Sequence, residues 1–96
     1  MEVLVVYDVS TETKEGRRRL RRVANICEAH GQRVQKSVFE CVLNEAELEV
    51  LLHKLFRVVE PAEDSLRVYR LREPRTRFLK VIGLRPQFDP REPMVV

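Results

Sequence analysis

The chain has few of the residues from which metal centres, disulfide frameworks and nucleotide-binding loops are built. Of its 96 residues, two are cysteine, two are histidine and three are glycine. Cys27 and Cys41 form neither a C-x-x-C pair nor a zinc-ligand spacing, and His30 and His53 are isolated. The sequence contains no P-loop and no glycine-rich dinucleotide loop. We therefore expect both cysteines to be reduced, mostly buried thiols.

Long apolar runs are also missing. Glu2 and Asp8 interrupt the N-terminal apolar stretch, so it does not resemble a secretory signal. No run approaches the ~20 apolar residues that a membrane span needs. We expect a cytoplasmic protein with no membrane partner. The length fits one domain, placed at residues 1–83, followed by a proline-containing tail at 84–96.

Basic residues are concentrated in one part of the chain. The formal net charge is only +3, but residues 14–36 hold eight basic and two acidic groups, whereas residues 45–64 hold six acidic groups against Lys54 and Arg57. Arginine is the residue type that grips phosphate oxygens in bidentate fashion. The run formed by Arg17, Arg18, Arg19, Arg21 and Arg22 is thus either a phosphate-contacting surface or a solvated helix face.

The apolar pattern predicts the order strand, helix, strand, helix, strand, strand. Strands are predicted at 3–7, 33–43, 65–71 and 78–82, with helices from the turn at 10–13 to about residue 29 and from Asn44 to Pro61. Glu47 stands in capping-box position to Asn44, and Gly31 is predicted to end the first helix as a left-handed cap. The order indicates an α+β, ferredoxin-like split βαβ sheet with both helices on one face.

The first strand, Val3–Tyr7, is apolar on both faces. With both helices on one side of the sheet, its other face would be bare. We therefore expect a homodimer that packs through this other face, and we expect the tail near Phe88 to reach the partner subunit.

Asp8 is the acid at the carboxyl end of this strand. It could hold a hard cation, Mg²⁺ or Mn²⁺, with a second copy brought in by a two-fold axis, or it could simply hydrogen-bond the turn at 9–11. Tyr7, Ser37 and Phe39 are the other candidate catalytic residues. Each has an alternative structural role, because Tyr7 and Phe39 could pack in the core and Ser37 could be merely tolerated in a strand.

Two segments together resemble the CRISPR-associated protein two family. The segment Val3–Ser10 resembles its opening strand, and Gly31–Cys41 resembles its second-strand signature, in which R-[VI]-Q-x-S-V-F is typical. The spacing of the two segments also agrees. The resemblance covers residues 1–83. The tail after Leu84 is variable in the family, so the resemblance implies little about it.

This resemblance implies a ferredoxin-like homodimer in which the C-terminal segment of one subunit extends the sheet of the other. It implies metal-dependent endonuclease activity on single-stranded RNA or double-stranded DNA, and assembly with the CRISPR integrase around the protospacer. By position, Asp8 matches the family's metal-linked aspartate, Tyr7 its neighbour and Arg22 a helix arginine. Arg33, Ser37 and Phe39 match second-strand positions, while Arg17, Arg18 and Arg19 align only loosely.

Three hypotheses for function remain. The chain is a magnesium nuclease that uses Asp8, a nucleic-acid-binding scaffold for spacer acquisition, or a ferredoxin-like regulatory module without a nucleic-acid role. The basic helix argues against the third. We favour the scaffold, because one candidate carboxylate per subunit would hold magnesium loosely.

Overall fold

The computed structural model describes residues 1–83, so the predicted tail at 84–96, with Phe88, lies outside the described residues. Its elements are β1 (Glu2–Asp8), α1 (Lys14–Glu28), β2 (Gly31–Gln35), β3 (Val38–Val42), α2 (Glu45–Phe56), β4 (Ser65–Arg70) and α3 (Arg75–Phe78). The four strands form one antiparallel sheet in the order β2-β3-β1-β4. This is the ferredoxin-like arrangement, and the predicted α+β fold is confirmed.

Strand β1 lies between β3 and β4, and its pleat points successive side chains to opposite faces of the sheet. Val3, Val5 and Tyr7 are buried in one core cluster with residues of both long helices, among them Val23 and Leu51. The alternate β1 residues point away from the helices. We call this second side of the sheet the open face; it carries Leu4, Val6 and Asp8 of β1 together with Val38, Glu40 and Val42 of β3.

Both long helices begin at side-chain caps. Thr13 caps α1 by accepting a hydrogen bond from the Gly16 N–H at 3.0 Å. Asn44 accepts from the Glu47 N–H at 2.8 Å, and the Glu47 carboxylate accepts from the Asn44 N–H at 2.9 Å. The predicted capping box is thereby confirmed. It satisfies two N–H groups that have no partner within the helix.

The segment predicted as one strand at 33–43 is a hairpin. Strands β2 and β3 are joined by a turn at Lys36 and Ser37, with a register irregularity between Arg33 and Gln35. The turn contains neither glycine nor proline, so the usual sequence signal for a hairpin is missing. The hairpin supplies the fourth strand of the sheet.

The prediction of a fourth strand at residues 78–82 is wrong. Residues Arg75–Phe78 form the short helix α3, and no strand follows within the described residues up to 83. Pro74 has no N–H for a strand ladder. Arg75 then turns to the open face, where its Nη1 lies 3.3 Å from Glu2 and its Nε lies 3.4 Å from Glu40. This buried ion cluster draws the chain away from the edge of the sheet.

The prediction that Gly31 is a left-handed cap is also wrong. Helix α1 ends at Ala29 in ordinary right-handed backbone, and among the described residues only Gly83 has a positive φ. Gly31 instead begins β2, where a Cβ atom would overlap the Cys41 Sγ and the Glu40 carbonyl oxygen. Glycine is required there by close approach of two strands rather than by backbone conformation.

The two thiols behave as expected for core residues. Cys27 and Cys41 are free and buried. Burial raises the pKa of Cys27 to about 12 and that of Cys41 to about 11. Within residues 1–83, the structure contains no helix with the length and apolar character needed to cross a membrane.

Gly16 provides a test of how closely the loop after β1 packs on α1. A Cβ atom at this position would overlap the backbone carbonyl oxygen of Ser10. Gly16→Ala should therefore destabilise the protein by about 1–3 kcal/mol in urea unfolding, although alanine normally favours a helix over glycine. The control Asn25→Ala, on the exposed face of α1, should be neutral or slightly stabilising. A stabilising effect of Gly16→Ala would contradict this packing.

Candidate nucleic-acid interface

Asp8 lies at the carboxyl end of β1, exposed and on the open face. Ser65, the first residue of β4, is its partner across the strand pair. Within residues 1–83, no group of three or more histidine, cysteine, aspartate and glutamate side chains is placed to hold a metal ion. Mg²⁺ keeps several waters and takes one or two protein carboxylates. Asp8 fits such an ion as a single ligand, and a fuller site would need a carboxylate from a second copy.

Tyr7 and Phe39 lie on the opposite side of the sheet from Asp8. Their rings are stacked, with centroids 6.2 Å apart, and their residues are 3% and 0% exposed. The Tyr7 hydroxyl donates to the Lys36 carbonyl oxygen at 3.3 Å, and burial raises the pKa of Tyr7. A buried Phe39 ring has no face left for a base. The geometry therefore supports the packing alternative for both rings rather than a catalytic role.

Ser37 contacts Tyr7 through its backbone. Its carbonyl oxygen accepts a hydrogen bond from the Tyr7 N–H at 3.1 Å, which brings the β2–β3 turn to the end of β1 that bears Asp8. Ser37 is half-buried. The structure thus places Ser37 beside the end of β1, while its predicted role in catalysis remains a prediction.

Arg33 links β2 to the last turn of α1. Its guanidinium lies 5.1 Å from the centroid of the Phe39 ring and 3.4 Å from the Glu28 carboxylate. Both members of the ion pair are substantially exposed, so the pair contributes little to stability. Nucleic acid could replace Glu28 at little cost, and the predicted phosphate contact of Arg33 is compatible with the structure.

The arginines of α1 divide into two groups. Arg17, Arg18, Arg21 and Arg22 are exposed, and of these Arg17 donates to the Thr11 carbonyl oxygen at 3.1 Å. In the part of the chain that the structure describes, none of these four guanidinium groups lies within 4.0 Å of a carboxylate. We call these four residues the α1 arginine face. Unpaired like charges on one helix repel each other, so an anion bound there would relieve the repulsion.

Arg19 is different, because it is already occupied by the protein. Its Nε lies 2.8 Å from Asp64, and its Nη2 lies 3.5 Å from Glu63. The Asp64 side chain is fully buried, whereas Arg19 keeps 16% of its side chain exposed. Burial would raise the pKa of Asp64, but hydrogen bonds from Arg19 and from the Glu60 and Ser10 N–H groups hold that pKa below its ordinary value.

A second basic segment was missed by the sequence analysis. Residues 67–80 hold six basic groups and one acid, a charge count that the sequence itself could have provided. Apart from the buried Arg75, these basic side chains are exposed. Two of them contact aromatic side chains. Arg67 donates a hydrogen bond to the Tyr69 hydroxyl at 3.1 Å, and the Arg72 guanidinium lies over the Phe78 ring, 4.7 Å from its centroid.

The fold and the exposed charges together indicate a class of protein. The small ferredoxin-like domain presents four exposed arginines on one helix, with no carboxylate partner among residues 1–83, and an exposed aspartate at the end of its central strand. Exposed arginines on one helix face are typical of proteins that bind phosphate, and one carboxylate offers a divalent cation a single protein ligand.

Comparison with known proteins identifies the family. The family model described as CRISPR associated protein Cas2 matches residues 1–77. The chain is 50% identical to the CRISPR-associated endoribonuclease Cas2 1 of Moorella thermoacetica, with all of both chains covered. It is 41% identical to the CRISPR-associated endonuclease Cas2 of Halalkalibacterium halodurans, with 99% of each covered. The crystal structure of Streptococcus pyogenes Cas2 at pH 6.5 matches with a TM-score of 0.78 and 47% identity, covering 86% of this chain and 100% of that one. The chain belongs to the Cas2 family, as the sequence resemblance predicted.

The depressed pKa of Asp64 predicts a specific pH dependence of stability. The ionised carboxylate is favoured in the folded state, so its contribution is complete above the ordinary pKa and is lost as pH falls through the lower folded pKa. Asp64→Asn should lower the free energy of unfolding. The size of this decrease should be constant above about pH 5 and should become smaller below about pH 4. Chemical denaturation across this range measures it.

Glu63→Gln serves as the matched control, because Glu63 approaches the same arginine but is about half exposed. Its effect on stability should be small at every pH. A loss in Asp64→Asn that stayed constant down to strongly acidic pH would show that the Asp64 charge does not contribute in the folded state.

Proposed function

We propose that this chain acts in CRISPR spacer acquisition as a homodimeric scaffold that holds DNA for the integrase. The observation that carries the proposal is the α1 arginine face, whose guanidinium groups are exposed and have no carboxylate partner among the described residues. Such a surface binds the phosphate backbone, which gives affinity without sequence readout. This is what a protein needs if it must hold protospacers of any sequence.

The proposed dimer forms through the open face of the sheet. Leu4, Val6, Val38 and Val42 are apolar and only half-buried there. An antiparallel sheet with helices on one side buries its other apolar side most simply against a second copy. Asp8 shares this face, so a two-fold axis would bring two carboxylates toward each other. A two-fold dimer would also present its two α1 arginine faces symmetrically to the DNA and to the integrase.

Metal-dependent cleavage of a phosphodiester is the second candidate function. It is supported by the exposed Asp8 and by the names of the relatives, which describe an endoribonuclease and an endonuclease. Asp8 and its counterpart in a second copy would hold Mg²⁺ or Mn²⁺, and the bound ion would activate water and neutralise charge on the phosphate. The α1 arginine face would bind the strand in either case. The regulatory module without a nucleic-acid role leaves these unpaired arginines unexplained.

A comparison of two variants separates the scaffold from the nuclease. Arg18→Ala combined with Arg22→Ala removes two phosphate contacts from each subunit and should lower the salt slope of duplex DNA binding by about two units for each subunit that contacts the duplex. Integrase-dependent spacer insertion should fall with it. Asp8→Asn should keep DNA binding and insertion while losing metal-dependent cleavage. Fluorescence anisotropy over a salt series and a spacer-integration assay provide the measurements.

The matched control for the arginine variant is Lys54→Ala combined with Arg57→Ala, which removes the same charge from exposed positions at the C-terminal end of α2. Its salt slope should stay near that of the wild type. If a folded, dimeric Asp8→Asn protein fails in insertion while the arginine variant succeeds, the scaffold proposal is wrong and the metal site is the essential element.

A further inference from the structure

Asp64 uses both of its carboxylate oxygens on three separate parts of the chain. Oδ1 accepts hydrogen bonds from the Ser10 N–H and from Arg19 Nη2, each at 3.2 Å. Oδ2 accepts from Arg19 Nε and from the Glu60 N–H, each at 2.8 Å. The carboxylate therefore joins the loop after β1, helix α1 and the segment between α2 and β4. Its side chain has no exposure to solvent.

This arrangement takes Arg19 out of the basic surface. Two of its nitrogens are held by a buried carboxylate, and the side chain is 16% exposed, while its neighbours Arg18 and Arg21 are exposed. Arg19 Nε and Nη2 are both occupied by Asp64, so a phosphate that bound this edge of the guanidinium would have to displace the carboxylate and leave the Asp64 charge buried without Arg19. Leaving one member of a buried ion pair unpaired is strongly unfavourable. Arg19 thus differs from the other arginines of the run, which sequence alone could not distinguish.

The Asp64 carboxylate also fixes the loop that connects Asp8 to the α1 arginine face. The Asp64 carboxylate accepts a hydrogen bond from the Ser10 N–H. The Ser10 carbonyl oxygen packs so closely on Gly16 of α1 that a Cβ atom there would overlap it. Val9, between Asp8 and Ser10, is buried. The chain from Asp8 to the start of α1 is therefore held from both sides, and the position of Asp8 relative to the α1 arginine face is set by these contacts.

We propose that Asp64 is a positioning residue of the nucleic-acid interface. Its carboxylate holds Arg19 in an ion pair within the fold, and this pairing determines which arginines of α1 remain available to bind phosphate. The inference rests on the proposed function, since it concerns how the α1 arginine face is organised. It assigns Arg17, Arg18, Arg21 and Arg22 to the nucleic acid and Arg19 to the protein.

Five variants test this assignment by the salt slope of binding to a short DNA duplex, with each change in slope counted per subunit that contacts the duplex. Arg18→Gln should lower the slope by about one unit, whereas Arg19→Gln should leave it unchanged. Asp64→Asn should raise the slope by about one unit, because Arg19 is released and can contact phosphate. Adding Arg19→Gln to Asp64→Asn should return the slope to the wild-type value. Glu63→Gln removes a nearby acid without releasing Arg19, so its slope should stay unchanged.

A purely structural role for Asp64 predicts a different pattern. Asp64→Asn would then lower the melting temperature but leave the salt slope as it is, and this result would overturn the inference. A slope lowered by one unit in Arg19→Gln would overturn it equally. If Arg18→Gln also has no effect on the slope, the proposed function itself fails and the inference falls with it, which is a distinguishable outcome.

A measurement on the wild-type protein tests the same assignment without depending on the folding of any variant. The arginine Nε–Hε signals are followed by NMR while duplex DNA is added. The signals of Arg18 and Arg22 should shift, and that of Arg19 should stay in place. A shift of the Arg19 signal as large as that of Arg18 would contradict the assignment.

Discussion

The alternation of side chains along β1 is the constraint on which the rest of the molecule depends. Because β1 has a strand on each side, it cannot rotate, and each residue is committed to one face. Val3, Val5 and Tyr7 enter the core beneath α1 and α2, and the residues between them form the open face. Asp8 follows as the last member of that second set. The catalytic candidates Tyr7 and Asp8, although adjacent in sequence, therefore serve different sides of the sheet.

The arginines show how one residue type can be divided among several tasks. Arg75 is buried with Glu2 and Glu40 on the open face, and Arg19 is held by Asp64, so both guanidinium groups are engaged within the fold. Arg33 packs on Phe39 with an exposed ion pair, and the α1 arginine face has no acidic partner among residues 1–83. Net charge does not reveal this division. It follows from which guanidinium groups the fold brings to a buried carboxylate.

The first turn of α2 and the apolar face of α1 were predictable because local residue patterns mark them, whereas features without such a pattern, or set by distant residues, were not. The capping box at Asn44 and the buried positions Val23 and Cys27 of α1 follow from local spacing, and the order of the predicted strands and helices indicated the ferredoxin-like fold that the family resemblance also implied. The turn at Lys36 contains no residue that marks a hairpin, so the β2–β3 division was missed. The contact between Arg19 and Asp64 spans 45 positions, and no sequence pattern relates the two.

The most direct test of the central claim, that two copies meet through the open face, is the distance between identical positions in the dimer. Ser65 lies opposite Asp8 and is exposed, and the native thiols are buried, so a spin label attached to Ser65→Cys would be selective. Facing sheets pack ~10 Å apart, so electron–electron dipolar coupling should give a label separation below about 20 Å. Labels at Asn25→Cys, on the exposed side of α1, should be much farther apart. No coupling at Ser65→Cys, or a separation longer than that at Asn25→Cys, would contradict the account.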